Sequence, residues 1–376
     1  MKNIAMVTVH RTLNYGTMLQ TYACKSLFHE YGCETTLVDY YREKDYRFDD
    51  FENFMAYYSA RKRMIAGSGF VSSLKLLGKA FFSYRVTKRF FMMCNSFLKD
   101  NVTISIPYYS FNDLNEDPPV ADYYCAGSDQ IWNSDYNGGI DPVYYLDFTK
   151  KGQKISFCSS IGKTILSEKE QNDMREKLTS FKVISVREKS AQELLSALGI
   201  DATDLIDPTL VEDSAFWDSM CSKPILEKPY LLLYKLRADD TIDQIATKIA
   251  KEKGLNIVRI AFDQIRKKRG ETTIVLPAIS EFLSLIKNAD YVVTNSFHGT
   301  CFSINFHKQF LAVPRKSYNV RIKNILDKLG ISDRLFDDNI DVKNYCKKID
   351  YSLVRDNLET ERNKAKNWLK TVLSDN

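Results

Sequence analysis

The alternation of strand, helix and strand within the first 40 residues is the sequence feature that most constrains the fold. The apolar run IAMVTV over 4–9 predicts a strand. The segment over 17–32 then has apolar residues at helical spacing and ends at Gly32, a residue typical of helix C-termini. ETTLVDY over 34–40 predicts a second strand. Such a βαβ unit requires parallel strands joined by a right-handed crossover, so we expect an α/β protein.

The same alternation returns in the second half of the chain, and 376 residues exceed what one hydrophobic core usually organises. The segment over 212–229 contains two prolines and lacks periodicity. We therefore predict two doubly wound, Rossmann-like domains facing a cleft, which is a GT-B-like fold. The predicted boundaries are an N-terminal domain over 1–212 with a helical insert over about 46–118, a linker over 213–228, a C-terminal domain over 229–345, and a C-terminal helix within 346–376 that packs back across the domains.

The net charge of +5 is concentrated in the predicted insert. Residues 59–99 contain nine basic residues and no acidic one, interleaved with apolar runs. This pattern is typical of an amphipathic surface that lies on anionic lipid. The solvated face of an ordinary helical pair remains an alternative, whereas a groove that follows nucleic-acid phosphates fits the apolar runs less well.

Several signals favour a cytoplasmic protein that can associate with the inner face of the cytoplasmic membrane. The N-terminus lacks the apolar region of a signal peptide, and no apolar run is long enough for a transmembrane helix. The eight cysteines form no C-x-x-C pair, which favours reduced thiols over disulfides or a zinc site.

The stretch TNSFHGT over 294–300 combines a strand end with a helix start. Ser296 is a preferred N-cap residue, so His298 is predicted in the first helical turn, where free N–H groups and the helix dipole attract anions. Gly299 would allow close backbone approach. A partly buried histidine that caps its own turn is the alternative.

Two further strand ends carry candidate polar residues. In ISVREKS over 184–190, Arg187 follows a strand and offers a planar fork to carboxylate or phosphate, unless it only pairs with Glu188 at the surface. In GSDQIWN over 127–133, Asp129 could act as a base on a sugar hydroxyl and Trp132 could stack on a sugar. Their alternatives are a helix cap and a core residue.

The turn HRTLNYG over 10–16 adds His10, Asn14 and Gly16 as candidate substrate-binding residues. It is neither a P-loop nor a G-x-G-x-x-G turn, and the chain contains no D-x-D. A nucleotide fingerprint is therefore missing.

Five stretches together resemble the polysaccharide pyruvyl transferase family. They occur in the family's order and extend over residues 8–311; they are NYGTMLQTYA, GSDQIWN, YYLDF, ISVREKSAQELLSALGI followed by DPTL, and NADYVVTNSFHGTCFSINF. The resemblance implies a GT-B-like fold and the transfer of an enolpyruvyl unit from phosphoenolpyruvate to a hexose of a cell-surface polysaccharide precursor. The product would be a pyruvate ketal, and phosphate would be released.

The resemblance also implies a donor site without metal or cofactor. The family's donor-binding arginine and histidine fall on Arg187 and His298, within a site completed by Ser296, Phe297 and Gly299. Some relatives have a basic residue two positions before the histidine, where this chain has Ser296. We expect the missing charge from Lys163, Arg315 or Arg321.

In the expected mechanism, His298 is the general acid or the phosphate ligand and Asp129 is the base on the acceptor hydroxyl, with His10 as an alternative base. The acceptor would be a lipid-linked saccharide, and the surface over 59–99 would bring the protein to it at an anionic membrane. No nucleic acid is expected as partner.

Two other functions stay open. One is a GT-B glycosyltransferase that uses a nucleotide sugar, and the other is a non-catalytic glycan-binding protein.

Overall fold

The computed structural model describes residues 1–42, 71–227, 229–236, 239–262, 270–314 and 320–374, with the side chains of 71–83 excepted. The first part of the predicted insert, 46–70, therefore lies outside the described residues. All eight cysteines are free thiols, and six of them are buried.

Seven parallel strands form the first sheet, in the order β3-β2-β1-β4-β5-β6-β7. Strands β1, β2 and β3 follow one another from the middle of the sheet to one edge, and β4 to β7 follow one another from the middle to the other edge. The strand order therefore reverses between β1 and β4, which is a topological switch point. The strands are β1 (Lys2–Val7), β2 (Cys33–Tyr40), β3 (Thr103–Tyr108), β4 (Tyr123–Ala126), β5 (Gln153–Ser159), β6 (Val183–Val186) and β7 (Thr203–Asp204).

Five parallel strands form the second sheet, in the order β10-β9-β8-β11-β12, with a second switch point between β8 and β11. Both sheets thus have doubly wound topology, and the predicted α/β class is confirmed. The strands are β8 (Tyr230–Tyr234), β9 (Asn256–Ala261), β10 (Thr272–Val275), β11 (Tyr291–Thr294) and β12 (Gln309–Ala312).

Helices connect the strands and cover both faces of each sheet. Those of the first half are α1 (Tyr15–Glu30), α2 (Val71–Asn101), α3 (Phe111–Glu116), α4 (Ser134–Asn137), α5 (Glu168–Leu178), α6 (Lys189–Ala197), α7 (Pro208–Val211) and α8 (Ser214–Asp218). Those of the second half are α9 (Asp240–Lys253), α10 (Ile279–Lys287), α11 (Phe297–Asn305), α12 (Val320–Lys328), α13 (Val342–Tyr345) and α14 (Tyr351–Ser374). Two short 3₁₀ helices span Pro142–Tyr145 and Ser332–Arg334.

The prediction of a helical insert over about 46–118 is wrong for part of the described residues 71–118, because they include a strand as well as helices. The stretch TISIPY forms β3 and pairs with β2 at the sheet edge, because its alternation of hydroxyl and Ile side chains suits a half-exposed strand. The neighbouring α2 buries Phe90, Cys94 and Leu98, which recur every fourth residue and pack in the core of the domain.

One segment differs from its strand-like sequence. The apolar run over 204–211 predicts a strand, but only β7 is extended, and the following PTLV forms α7. Asp207 caps this helix by accepting from the Thr209 N–H at 3.0 Å, and Pro208 occupies the first helical position.

The two sheets share a continuous apolar core. Tyr15 at the start of α1 stacks on Phe282 of α10 with ring centroids 4.4 Å apart, and its hydroxyl donates to the Pro277 carbonyl at 2.6 Å. The helix α14 then runs from the second domain back to the first. Trp368 stacks on Phe157 of β5 there, and the core residues of α14 belong to the same apolar cluster.

Leu369→Ala should lower the free energy of unfolding by about 2–5 kcal/mol, because Leu369 is fully buried where α14 packs against the core. Leu353→Ala is the matched control, because Leu353 lies on the same helix but is 69% exposed. It should change the free energy of unfolding by less than about 0.5 kcal/mol. Urea denaturation followed by circular dichroism measures both. Equal midpoints for the two variants would contradict the packing of α14.

Candidate active site

Polar side chains that follow β4, β6, β7 and β11 meet at the carboxyl ends of the strands, and β4 and β11 are the two of these strands that border the switch points. Asp129 follows β4, Arg187 follows β6, Asp207 caps α7, and His298 lies in the first turn of α11 after β11. Because carboxyl ends of parallel strands share one edge, these residues are brought together although they are far apart in sequence. This set, with Phe297 and Arg321, is called the switch-point cluster below.

Arg187 is the centre of the switch-point cluster, and its side chain is fully buried. One terminal nitrogen donates to Asp207 at 2.6 Å and to Ser128 at 3.3 Å, and the other donates to Asp129 at 3.0 Å. Burial alone would lower the pKa of Arg187, but Asp207 and Asp129 outweigh it and the pKa is raised. Its Nε has no hydrogen-bond partner among the described residues. Arg187 is thus not a surface partner of Glu188.

Asp129 adopts a left-handed backbone conformation with φ of 79°, which is strained for a residue other than glycine. Its Oδ1 accepts from Arg187 and from the Gln130 N–H, and its Oδ2 accepts from the Thr17 hydroxyl at 2.9 Å. Burial raises the pKa of Asp129, but Arg187 and His298 outweigh burial and hold it far below its ordinary value. Both oxygens of this carboxylate are therefore engaged in the free protein.

Asp207 is a member of the cluster that the sequence did not single out. Its Oδ1 caps α7, and its Oδ2 accepts from Arg187 and lies 3.8 Å from His298 Nε2. Burial raises the pKa of Asp207 and Arg187 lowers it, with a net downward shift. The only sequence signal was an aspartate directly before a proline, which is a typical helix start.

His298 lies in the first turn of α11, as predicted, and Ser296 caps that helix by accepting from the Gly299 N–H at 3.1 Å. The Nε2 atom of His298 has no hydrogen-bond partner among the described residues. Burial lowers its pKa to about 4 against the opposing effect of Asp207 and Asp129, so the imidazole is neutral at pH 7 in the free protein.

Two guanidinium groups lie near the ring of Phe297. The Arg187 guanidinium is 4.8 Å from the Phe297 ring centroid, and that of Arg321 on α12 is 5.3 Å from it. Arg321 has no carboxylate within ion-pair distance among the described residues. Burial together with Arg187 lowers the pKa of Arg321, against the opposing effect of Asp129, Glu188 and Asp207. A partly buried cation that no carboxylate contacts is suited to bind an anion.

Two glycines permit the close packing of the cluster. A Cβ on Gly16 would lie 2.1 Å from His298 Nδ1, so the first turn of α1 and the imidazole can touch only because residue 16 is glycine. A Cβ on Gly299 would lie 2.5 Å from Thr294 Oγ1. Both glycines therefore serve packing around His298. Asn14 caps α1 by accepting from the Gly16 N–H.

The other candidates lie outside the cluster or outside the described residues. His10 is buried, with its ring nitrogens 3.0 Å from Asp39 and from the Thr8 carbonyl. Trp132 is 1% exposed and donates to the Tyr144 carbonyl, so it is not placed to stack on a sugar. Lys163 is held by ion pairs with Asp135 and Glu170. Arg315 lies outside the described residues.

The switch-point cluster does not coincide with the groove of about 940 Å³ found in the second domain. That groove lies beyond β12 and is lined by residues such as Pro314, Asp327 and Phe336. We assign the candidate site to the cluster, because unpartnered buried polar atoms converge there. Within the described ranges, no group of three or more His, Cys, Asp or Glu side chains is arranged to hold a metal ion.

Two doubly wound, Rossmann-like sheets with polar side chains gathered at their strand ends define a GT-B-like architecture. A family model described as polysaccharide pyruvyl transferase matches residues 14–317. The chain belongs to this family, and the protein is therefore a transferase of the pyruvyl transferase type. A comparison with curated proteins found no match.

Solved structures of similar fold are nucleotide-sugar enzymes. They include S. aureus MnaA in a co-structure with UDP (TM-score 0.53, 10% identity, 92% of this chain and 86% of that chain). The UDP-GlcNAc 2-epimerase from Neisseria meningitidis bound to UDP-GlcNAc has a TM-score of 0.50 and 8% identity, covering 100% and 99%. Arabidopsis thaliana UGT89C1 complexed with UDP has a TM-score of 0.50 and 12% identity, covering 99% and 98%. At these identities the likeness concerns the fold alone, which is GT-B-like.

Gly16→Ala should destabilise the protein by about 1–3 kcal/mol, because the added methyl group overlaps the His298 ring. In a His298→Ala background, Gly16→Ala should lower the free energy of unfolding much less, since the imidazole that the methyl group would overlap is absent. A double-mutant cycle from urea denaturation measures this coupling. Additive effects would show that Gly16 and His298 do not touch.

Proposed function

We propose that the protein transfers the enolpyruvyl unit of phosphoenolpyruvate to a hexose of a cell-surface polysaccharide precursor, forming a pyruvate ketal and releasing phosphate. Family membership supports the reaction class. The observation that carries the proposed donor is Arg321, a partly buried guanidinium with no carboxylate partner among the described residues, which lies near the Phe297 ring, as does Arg187.

Phosphoenolpyruvate matches this arrangement because it carries two anionic groups on a small carbon skeleton. Arg321 is free to pair with one of them, and the N-terminus of α11 attracts the other through its dipole. Asp129 and Asp207 hold the terminal nitrogens of Arg187. We therefore assign to Arg187 the role of holding the site residues in position. To Arg321 we assign the larger share of the attraction for the anionic groups of phosphoenolpyruvate.

His298 fits the role of an acid that forms only when the donor is bound. Its imidazole is neutral in the free protein because burial lowers its pKa to about 4. A donor phosphate beside it would favour the charged form and raise that pKa. The resulting imidazolium can protonate the methylene carbon of the enol, which creates an oxocarbenium-like centre for attack by a sugar hydroxyl.

Asp129 is less suited than expected to act as the base in this reaction. Both of its oxygens are engaged by Arg187, Thr17 and the Gln130 backbone. Its strained backbone and depressed pKa fit a residue that holds Arg187 in a defined orientation. The same argument applies to His10, since its ring nitrogens face Asp39 and a backbone carbonyl.

Arg321→Gln should weaken phosphoenolpyruvate binding by about 10- to 100-fold, because a charged hydrogen-bond donor is lost. The fold should be retained, since Arg321 forms no ion pair with a described residue. Arg187→Ala is a poorer test, because leaving Asp129 and Asp207 uncompensated costs about 3–5 kcal/mol of stability. Isothermal titration calorimetry measures donor affinity.

Arg355→Gln, at an exposed position of α14, is the matched control and should bind phosphoenolpyruvate like wild type. Uridine diphosphate should show no binding in the same experiment. Binding of uridine diphosphate in place of phosphoenolpyruvate would support the nucleotide-sugar alternative, and normal donor affinity in Arg321→Gln would refute the assigned donor site.

We further propose that α2 brings the enzyme to anionic membranes that carry lipid-linked acceptors. Its buried stripe faces the core, and the opposite stripe is exposed and carries Arg85, Arg89, Met92 and Lys99. Cations beside an exposed methionine are typical of an interfacial helix. Among the helices in the described ranges, none is sufficiently long and apolar to cross a bilayer.

Replacing Arg85 and Arg89 together by Gln should weaken binding to phosphatidylglycerol-containing liposomes by roughly 30-fold, at about 1 kcal/mol for each lost charge. Phosphoenolpyruvate affinity should not change. The control replaces Lys248 and Lys251, two exposed cations of α9, by Gln. Liposome co-sedimentation compares the three proteins, and equal partitioning would refute a membrane role for α2.

A further inference from the structure

Glu188 is a fully buried carboxylate that the donor site leaves unused. Its Oε1 accepts from the Ser160 hydroxyl at 2.8 Å and from the backbone N–H groups of Ile161 and Gly162 at 3.0 and 2.8 Å. These bonds fix the orientation of the carboxylate. Its Oε2, by contrast, has no hydrogen-bond partner among the described residues. An oriented, buried acceptor atom without a donor indicates a missing ligand group.

Two donors without hydrogen-bond partners among the described residues lie near this carboxylate. Arg187 Nε is 3.9 Å from Glu188 Oε2, a separation too long for a hydrogen bond. Gln130 Nε2 also lacks a partner, and it lies against Gly162, because a Cβ on that glycine would approach it to 2.0 Å. Gly162 itself donates to Glu188 Oε1. One acceptor and two donors that lack partners therefore lie close to one another, next to the switch-point cluster.

We propose that Glu188 and Gln130 form the subsite for the acceptor saccharide, in which Glu188 Oε2 accepts the proton of the sugar hydroxyl that adds to the donor. A hydroxyl group both donates and accepts, so it satisfies a free carboxylate oxygen and a free N–H group at once. This inference rests on the proposed function and deepens it, since it identifies the base and the class of acceptor, a neutral sugar diol.

The atoms and protons of the proposed reaction balance, with His298 as the proton donor and Glu188 and the leaving phosphate as the proton acceptors. The methylene carbon of phosphoenolpyruvate takes a proton from the His298 imidazolium, and the first sugar oxygen bonds to C2 while its proton passes to Glu188. The second sugar oxygen then bonds to C2 as the C2–O bond to phosphate breaks, and its proton leaves with hydrogen phosphate. The proton held by Glu188 returns through solvent to His298. The sum is one ketal and one hydrogen phosphate, with no oxidant, reductant or further reactant.

The position of Glu188 favours it over Asp129 as the base. The two oxygens of Asp129 are engaged in the free protein, whereas Glu188 keeps one oxygen free. Glu188 is also the residue that follows Arg187, so the base and the donor-positioning arginine leave the end of β6 together. Proton transfer requires hydrogen-bond reach between base and hydroxyl. Glu188 Oε2 and Arg187 Nε are 3.9 Å apart, so one hydroxyl oxygen placed to their side can be within hydrogen-bond distance of both.

The test compares Glu188→Gln, Glu188→Asp and the control Glu193→Gln, an exposed position on α6. Three readouts are measured: phosphoenolpyruvate affinity by calorimetry, the rate of saccharide-dependent phosphate release, and thermal stability. The acceptor probes are methyl glycosides of galactose, glucose, mannose and N-acetylmannosamine. Glu188→Gln keeps the size of the side chain and an acceptor for the Ser160 and Gly162 bonds, so we expect phosphoenolpyruvate affinity within about twofold of wild type.

Saccharide-dependent phosphate release should fall by about 10²- to 10⁴-fold in Glu188→Gln. Glu188→Asp, which keeps a carboxylate, should recover part of the rate, and Glu193→Gln should behave like wild type. A purely structural role would instead lower donor affinity and thermal stability together in Glu188→Gln, which would overturn the proposal.

Two other outcomes separate this inference from the proposed function. If wild type binds phosphoenolpyruvate but no glycoside promotes phosphate release, the acceptor subsite is overturned and the donor site stands. If wild type does not bind phosphoenolpyruvate at all, the proposed function fails first. Glycoside binding that persists unchanged in Glu188→Gln and Gln130→Ala, measured by saturation-transfer NMR, would also overturn the subsite.

Discussion

The buried ion pairs of Arg187 with Asp129 and Asp207 are the interaction on which the rest of the site depends. A guanidinium removed from water is tolerated only when opposite charges neutralise it. Two carboxylates from different segments do this here, at 3.0 and 2.6 Å. The ends of β4 and β6 and the start of α7 are thereby tied to one point, and His298 of the second domain lies 3.8 Å from the same Asp207.

This arrangement divides the electrostatic roles among the members of the site. In the proposed reaction, an anionic donor is attracted largely by Arg321, because Arg187 is already neutralised and Arg321 lacks a carboxylate partner among the described residues. The proposed base is Glu188, because Asp129 is engaged by Arg187 whereas one oxygen of Glu188 has no hydrogen bond within the described residues. Both guanidiniums lie near the Phe297 ring. Positioning, donor binding and proton transfer are thus assigned to different side chains.

Local patterns predicted much of the fold correctly. The βαβ start, the strand before Arg187, and the cap of α11 by Ser296 follow from periodicity and from residue types that act over three or four positions. The edge strand β3 was missed because basic and aromatic residues dominate its surroundings. The short strand predicted over 204–211 with a proline stop is extended only at its start, in β7. The helix α7 was not predicted, because four residues are too few for helical periodicity and only the Asp207 cap identifies it.

The sequence by itself determined which residue types stand at the strand ends, and with them the family resemblance and the candidates Arg187 and His298. Only the tertiary structure decided what each candidate contacts. It joined Arg187 to Asp207, buried Trp132 in the core, engaged His10 with Asp39, and left Glu188 with a free oxygen. The physical reason is that caps and periodicity depend on near neighbours, whereas ion pairs at a switch point depend on the order of strands in two sheets.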